Sequence, residues 1–176
     1  MLEKTIKIEH QYTTYFERVK YWILLYLGGV STIGICLMFD KDKEHVGTFL
    51  IIMSLLLGVV IAYNIYQNRL YIYSFYSDSE NVKIGYLKGS QECSIETTLD
   101  YVSAALKNTS SRGNFDCQII LSVEKVNFVI TKDFDWTFNE MKQLFEYVTR
   151  HKLLKKSEKE KSILQQIDNY MEKYPF

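Results

Sequence analysis

Hydrophobic residues in this chain fall into two long unbroken runs, followed by short and regularly spaced clusters. From Tyr21 to Phe39, YWILLYLGGVSTIGICLMF, no residue is charged, and none is from Val46 to Tyr66, VGTFLIIMSLLLGVVIAYNIY. At about 1.5 Å of rise per helical residue each run extends roughly 28–32 Å, the thickness of a bilayer's hydrocarbon core. A buried helix of a soluble protein accounts for one such run; two in succession predict a transmembrane pair, 21–39 and 46–66. The intervening DKDKEH, Asp40 to His45, then reads as a tight turn held in water. Each of its charges would cost about 2.5–3.5 kcal/mol near the membrane centre. The first run is no cleaved signal peptide, because it starts late and lacks a small-x-small cleavage site. Tyr21, Trp22 and Tyr26 on the first helix, with Tyr63, Tyr66, Tyr71 and Tyr73 around the end of the second, form the expected interfacial belt.

Beyond position 70 the periods shorten. LYIYSFYS (70–77) and VKIGYL (82–87) flank DSEN and predict a β-hairpin. SIETTLDYVSAALKN places Ile95, Leu99, Val102 and Leu106 at helical spacing behind a capping Ser94, predicting a helix. FDCQIILSV and VNFVIT predict a second hairpin turning near Glu124 and Lys125. Thr137 with Glu140, and Ser157 with Glu160, form T/S-x-x-E capping boxes ahead of two amphipathic helices, with Trp136 placed to staple onto Met141. The expected fold is therefore a membrane α-helical hairpin of two transmembrane helices plus a small α+β cytosolic domain of order ββαββαα. Residues 1–69 form the flank and membrane part, and 70–176 the α+β domain.

Composition and charge change little and orient much. The 176 residues carry 21 basic and 21 acidic side chains and a mean hydropathy close to zero, an average over two unlike parts. No overall field draws the chain to DNA or RNA, and direct nucleic-acid binding is not expected. Lys4, Lys7, Arg18 and Lys20 before the helices, with Arg69, Lys83 and Lys88 after them, outnumber Lys41 and Lys43 between them. The positive-inside rule puts both termini in the cytoplasm and the connecting loop outside. Ser54, Gly58 and Ala62, with Gly28 and Thr32, are small-residue stripes suited to close helix packing, within one chain or between chains of a homo-oligomer.

Catalytic and metal signatures are missing from the sequence. His10, His45 and His151 fall in three separate regions, Cys36, Cys93 and Cys117 form no CxxC, and Asp133 with Asp135 read as the lead-in to a helix. The alternating signs of KLLKKSEKEK (152–161) suit a solvated junction. Binding chemistry concentrates in LKNTSSRGNFD (106–116). Lys107, Asn108, Thr109, Ser110, Ser111, Arg112 and Asn114 supply cations, hydroxyls and amides of the kind that hold phosphate oxygens. An ordinary polar connection has the same composition.

From YWILLYLGG through KNTSSRGN to YPF, the layout resembles the membrane effectors of type III CRISPR systems. Those respond to cyclic oligoadenylate made when phage RNA is detected. The resemblance implies an antiviral membrane effector without catalysis or cofactor, acting as a tetramer or larger homo-oligomer that perturbs the bilayer. One Lys107 and one Arg112 per subunit would then surround a cyclic, multiply charged ligand. Driving a strongly closed equilibrium open takes about 5.5 kcal/mol of differential affinity. Several charge-assisted contacts of roughly 1.5–3 kcal/mol each are of that size. The competing reading is a membrane-anchored immunity or assembly protein that binds a protein partner.

Overall fold

The computed structural model describes residues 5–11, 13–39, 43–78, 80–111, 114–132, 135–152 and 156–174, with the backbone alone at 36–39 and 43–46. The chain divides into two compact units, Thr13–Arg69 and a second built from Met1–Tyr12 together with Leu70–Phe176.

The first unit is a helix pair, α1 (Tyr15–Phe39) and α2 (Lys43–Gln67). The two run antiparallel. The Tyr15 hydroxyl donates to the Ile65 carbonyl at 3.3 Å, and the Tyr26 ring lies 3.6 Å from where a Cβ on Gly58 would stand. A Cβ on Gly29 would meet a Leu57 methyl at 2.9 Å. Gly29 therefore lets α1 approach the Leu57 side chain closely, whereas a Cβ at Gly58 would make only ordinary contact. The predicted stripes are only partly used. Ser54 is half-buried, Ala62 is exposed, and Gly28 has nothing within 4 Å of its would-be Cβ. Thr32 turns its hydroxyl back onto the Gly28 carbonyl at 2.9 Å.

The two-span membrane hairpin is not what this unit presents. Among the described residues one helix, Gly47–Gln67, is long and apolar enough to cross a membrane. The described part of α1 opens on Glu17, Arg18 and Lys20 and then spends Gly28, Gly29, Ser31, Thr32 and Gly34 on weakly apolar positions. The helix α2 also begins within the expected turn, at Lys43, while Asp40, Lys41 and Asp42 lie outside the described residues.

The second unit corrects the expected ββαββαα order. It holds two antiparallel sheets. The first runs β1 (Ile6–Glu9), β2 (Leu70–Ser77), β3 (Asn81–Lys88) and β4 (Gln91–Thr98), each strand beside the next. The second runs β5 (Val102–Asn108), β6 (Cys117–Val123) and β7 (Val126–Ile130). The helix predicted over 94–108 is thus two strands joined by a 3-10 turn at Leu99–Tyr101. Its apolar residues fit period 2 as well as period 3.6: Val102, Ala104 and Leu106 face inward on β5, and Ile95 and Thr97 on β4. Pairing of all eight β4 residues with β3, from Lys88↔Gln91 to Asn81↔Thr98, decides for strand. The N-terminal flank likewise joins the sheet, with Ile6↔Ser77 through Glu9↔Ser74.

Two amphipathic helices follow, α3 (Phe138–His151) and α4 (Glu158–Lys173), and both start at the capping boxes the sequence predicts. Glu140 N–H donates to Thr137 Oγ1 at 3.2 Å while Thr137 N–H donates to a Glu140 carboxylate oxygen at 2.9 Å. Ser157 and Glu160 repeat the exchange. Met141, Leu144, Phe145 and Val148 of α3 enter one core with Ile8, Phe75 and Ile84 of the first sheet and Ile119, Leu121 and Phe128 of the second. Trp136 ties the entry of α3 to β2, its indole N–H donating to the Ile72 carbonyl at 3.1 Å. Lys142 and Asp168 form an ion pair between α3 and α4.

One position in the first sheet is sterically closed. The β2–β3 register shifts between Ile72 and Ser74, so Tyr73 is the extra residue of a β-bulge, and its ring folds over Gly85. A Cβ at Gly85 would stand 2.8 Å from that ring and closer still to the Ser74 hydroxyl. Gly85→Ala is expected to destabilise the unit by about 1–3 kcal/mol, the usual scale of overpacking. Denaturant unfolding of the two proteins measures it, and equal midpoints would refute the packing role.

Candidate functional site

The segment 106–116 does not follow a helix; it closes the β5–β6 hairpin. The ladder runs from Val102↔Val123 to Asn108↔Cys117, which leaves Thr109 to Asp116 as the tip. The tip is hydrogen-bonded to itself. Thr109 N–H donates to the Asp116 carbonyl at 3.0 Å. Ser110 N–H donates to Asn108 Oδ1 at 2.8 Å, its hydroxyl donates to the Asp116 carbonyl at 3.1 Å, and it accepts from Asp116 N–H at 3.0 Å. Ser111 and Asn114 form an isolated bridge, with Asn114 N–H donating to the Ser111 carbonyl at 3.1 Å. The sequence thus supplies side-chain-to-backbone bonds of the type that fix turns without regular ladders.

The seven predicted ligand residues are therefore unequal. Ser110 is committed to the turn, as is the Asn108 carbonyl oxygen. Lys107, Thr109, Ser111 and Asn114 are exposed around it. Arg112 lies outside the described residues. Asn108 also reaches α4, its amide N–H donating to Gln166 Oε1 at 3.2 Å.

Beside the tip stands a row of aromatic rings that the sequence reading did not assemble. Phe115, where the tip returns to β6, lies 5.4 Å from Phe138 and 6.0 Å from Tyr170, centroid to centroid. Phe138 meets Tyr170 edge-on at 5.1 Å, and Tyr170 meets Tyr174 at 4.9 Å. These are ordinary aromatic-pair distances. Lys132 Nζ sits 5.7 Å from the Phe138 ring, and Lys173 Nζ sits 5.5 Å from that of Tyr174. Three segments converge here, which is why no linear motif announces the row. The available signal was the helical spacing of Tyr170 and Tyr174, which extends the apolar face of Ile163 and Ile167.

Electrostatics near the tip is mixed. Cys117, fully buried at the start of β6, has its thiol pushed up to about 12 by burial first and by the Asp116 carboxylate second, with Lys132 pulling the other way. An acid whose folded value is raised costs nothing while both states stay neutral. Stability should fall only as pH rises from about 9, where the unfolded thiol ionises, toward 12.

Two of the three histidines sit against aromatic rings. His10 packs at 5.0 Å on Trp136, and His151 at 4.4 Å on Tyr147. The side chain of His45 and all of Asp133 lie outside the described residues, and Asp135 takes a positive φ of 63° just before Trp136. Among the described residues no three His, Cys, Asp or Glu side chains gather as a metal-holding group. Three lysines of 152–161 engage neighbours: Lys152 donates to the Asp100 carbonyl at 2.5 Å, Lys156 pairs with Glu146 at 3.1 Å, and Lys161 pairs with Glu158 at 2.7 Å. No family model matches the chain, and no curated protein matches it.

Two measurements check this arrangement. Ser110→Ala removes both hydroxyl bonds at an exposed turn, with an expected cost of about 1 kcal/mol and faster amide exchange at Asp116. Unchanged exchange would show that the network does not hold the tip. Native protein at about pH 8 should resist alkylation at Cys117 until it is denatured, and rapid native labelling at that residue would contradict its buried neutral thiol.

Proposed function

We propose that this protein is a membrane-anchored sensor without catalytic activity, whose folded unit binds a cyclic oligonucleotide, cyclic oligoadenylate in the reading taken from the sequence. The observation that carries the proposal is the β5–β6 tip. It is a prestructured polar turn with Lys107 at its base, next to an aromatic cluster flanked by Lys132 and Lys173. Prestructuring lowers the ordering cost of binding. Lysines suit phosphate oxygens, and aromatic rings suit bases. In a homo-oligomer each subunit would contribute one tip to one ligand, so a single cyclic molecule would engage all chains.

Anchoring is supported by the helix unit. Leu55, Leu56, Val59 and Val60 of α2, and Leu24, Leu25 and Leu27 of α1, are exposed large apolar side chains. That much contiguous apolar surface marks a lipid or protein contact. Among the described residues, Gly47–Gln67 of α2 is the helix whose length and apolar composition suit a membrane crossing. The bacterial inner membrane with the folded unit in the cytoplasm is the location we propose. A second reading, a membrane-anchored immunity or assembly protein, is favoured by β4. This strand is the outer edge of its sheet and is exposed at alternate residues, as an added partner strand would require.

The full chain in detergent should melt several degrees higher with cyclic oligoadenylates. A hundredfold excess over Kd stabilises by about 2.7 kcal/mol, and Lys107→Ala should reduce the shift. No shift with rings of any size, together with stoichiometric capture of a protein partner, would replace the sensor by the second reading. Alkaline carbonate should leave the chain in the membrane pellet, and release by carbonate would refute anchoring.

A further inference from the structure

The aromatic row ends in the open. Phe138 is buried, Phe115 and Tyr170 are half-buried, and Tyr174 is 50% exposed. Tyr174 is nonetheless fixed. Its backbone N–H donates to the Tyr170 carbonyl at 3.0 Å as the last bond of α4, and its ring rests at 4.9 Å on that of Tyr170. A half-exposed ring that rests on a neighbouring ring offers contact area with little rotamer freedom left to lose. The Lys173 ammonium lies over the ring at 5.5 Å from its centroid, on a flexible stem that a stacking base can displace toward its own phosphate, and the row runs back through Tyr170 and Phe115 to the tip. The bond from Asn108 to Gln166 joins the same helix to the same hairpin. Inorganic phosphate or a lipid headgroup would use the lysines alone. A flat anionic ring would use both lysines and rings.

We infer that Tyr174, backed by Tyr170 and flanked by Lys173, is a stacking platform for the base of a nucleotide, continuous with the β5–β6 tip that meets its phosphates. The inference rests on the sensor reading and adds to it the group that recognises the base. The division of labour is specific: charge at Lys107 acts on any polyphosphate, whereas the Tyr174 face acts only on a ligand that carries a base.

The test uses the full chain in detergent and two probes, cyclic tetra-adenylate and inorganic tripolyphosphate, with binding measured by calorimetry. Tyr174→Ala should weaken the tetra-adenylate by about tenfold, the scale of one base–aromatic stack, and leave tripolyphosphate unchanged. Tyr174→Leu keeps an apolar side chain without a π face and should behave like the alanine variant, while Tyr174→Phe should bind as the parent does. Lys107→Ala should weaken both probes. Parent-like tetra-adenylate binding by Tyr174→Ala and Tyr174→Leu would overturn the platform and leave the sensor reading standing. Failure of the parent protein to bind tetra-adenylate would overturn both.

Discussion

Four residue pairs, Ile6↔Ser77 to Glu9↔Ser74, hold the organisation of this chain together. They join a strand before the helix pair to a strand after it. Closing so long a stretch of chain carries an entropic cost that grows only slowly with length, and the helix unit shortens it by being folded itself. What offsets the cost is local. Ile6 and Ile8 are buried, and His10 N–H donates to the Tyr73 carbonyl at 2.8 Å just past the strand. Without this pairing the first sheet would lose an edge, and the apolar helices would be an appendage in place of an insertion.

The rest of the folded unit is layered on that sheet. The second sheet and α3 share one core with it, and Trp136 bonds directly to β2. The far end, where the β5–β6 tip meets α4, is organised by a different chemistry. There the contacts are side-chain hydrogen bonds and ring pairs, many of them exposed. A core built from Phe75, Phe128, Phe145 and Ile167 gives rigidity, and the polar tip stands exposed at its margin. Loops positioned on a rigid scaffold are where binding residues concentrate.

Legibility in the sequence followed the range of the interaction. The two capping boxes are local, and they start α3 and α4 where Thr137 and Ser157 predict. The turn at Glu124 and Lys125 is local too, and it closes the β6–β7 hairpin with Glu124 at a φ of 52°. What depended on distant partners was misread. Ile95, Leu99, Val102 and Leu106 satisfy a helical period, and only the β3 and β6 strands beside them decide for extended backbone. The TIKIE stretch alternates apolar and charged residues, but four residues alone do not make a strand without β2. The tip was visible as a polar segment, although its attachment to β5 was not. The aromatic row stayed hidden because Phe115, Phe138 and Tyr174 come from three separate elements.

The position of the helix pair between β1 and β2 also has a practical side. Glu9 and Ser74 are neighbours across the ladder, so everything from Thr13 to Arg69 stands where an ordinary hairpin would have its loop. Exchanging that insert for a few turn-forming residues would leave every sheet pairing, both capping boxes and the ring row on a chain freed of its greasiest part. Such a miniature would be handled in plain buffer, out of reach of detergent, and its spectrum could be laid over that of the intact protein residue by residue.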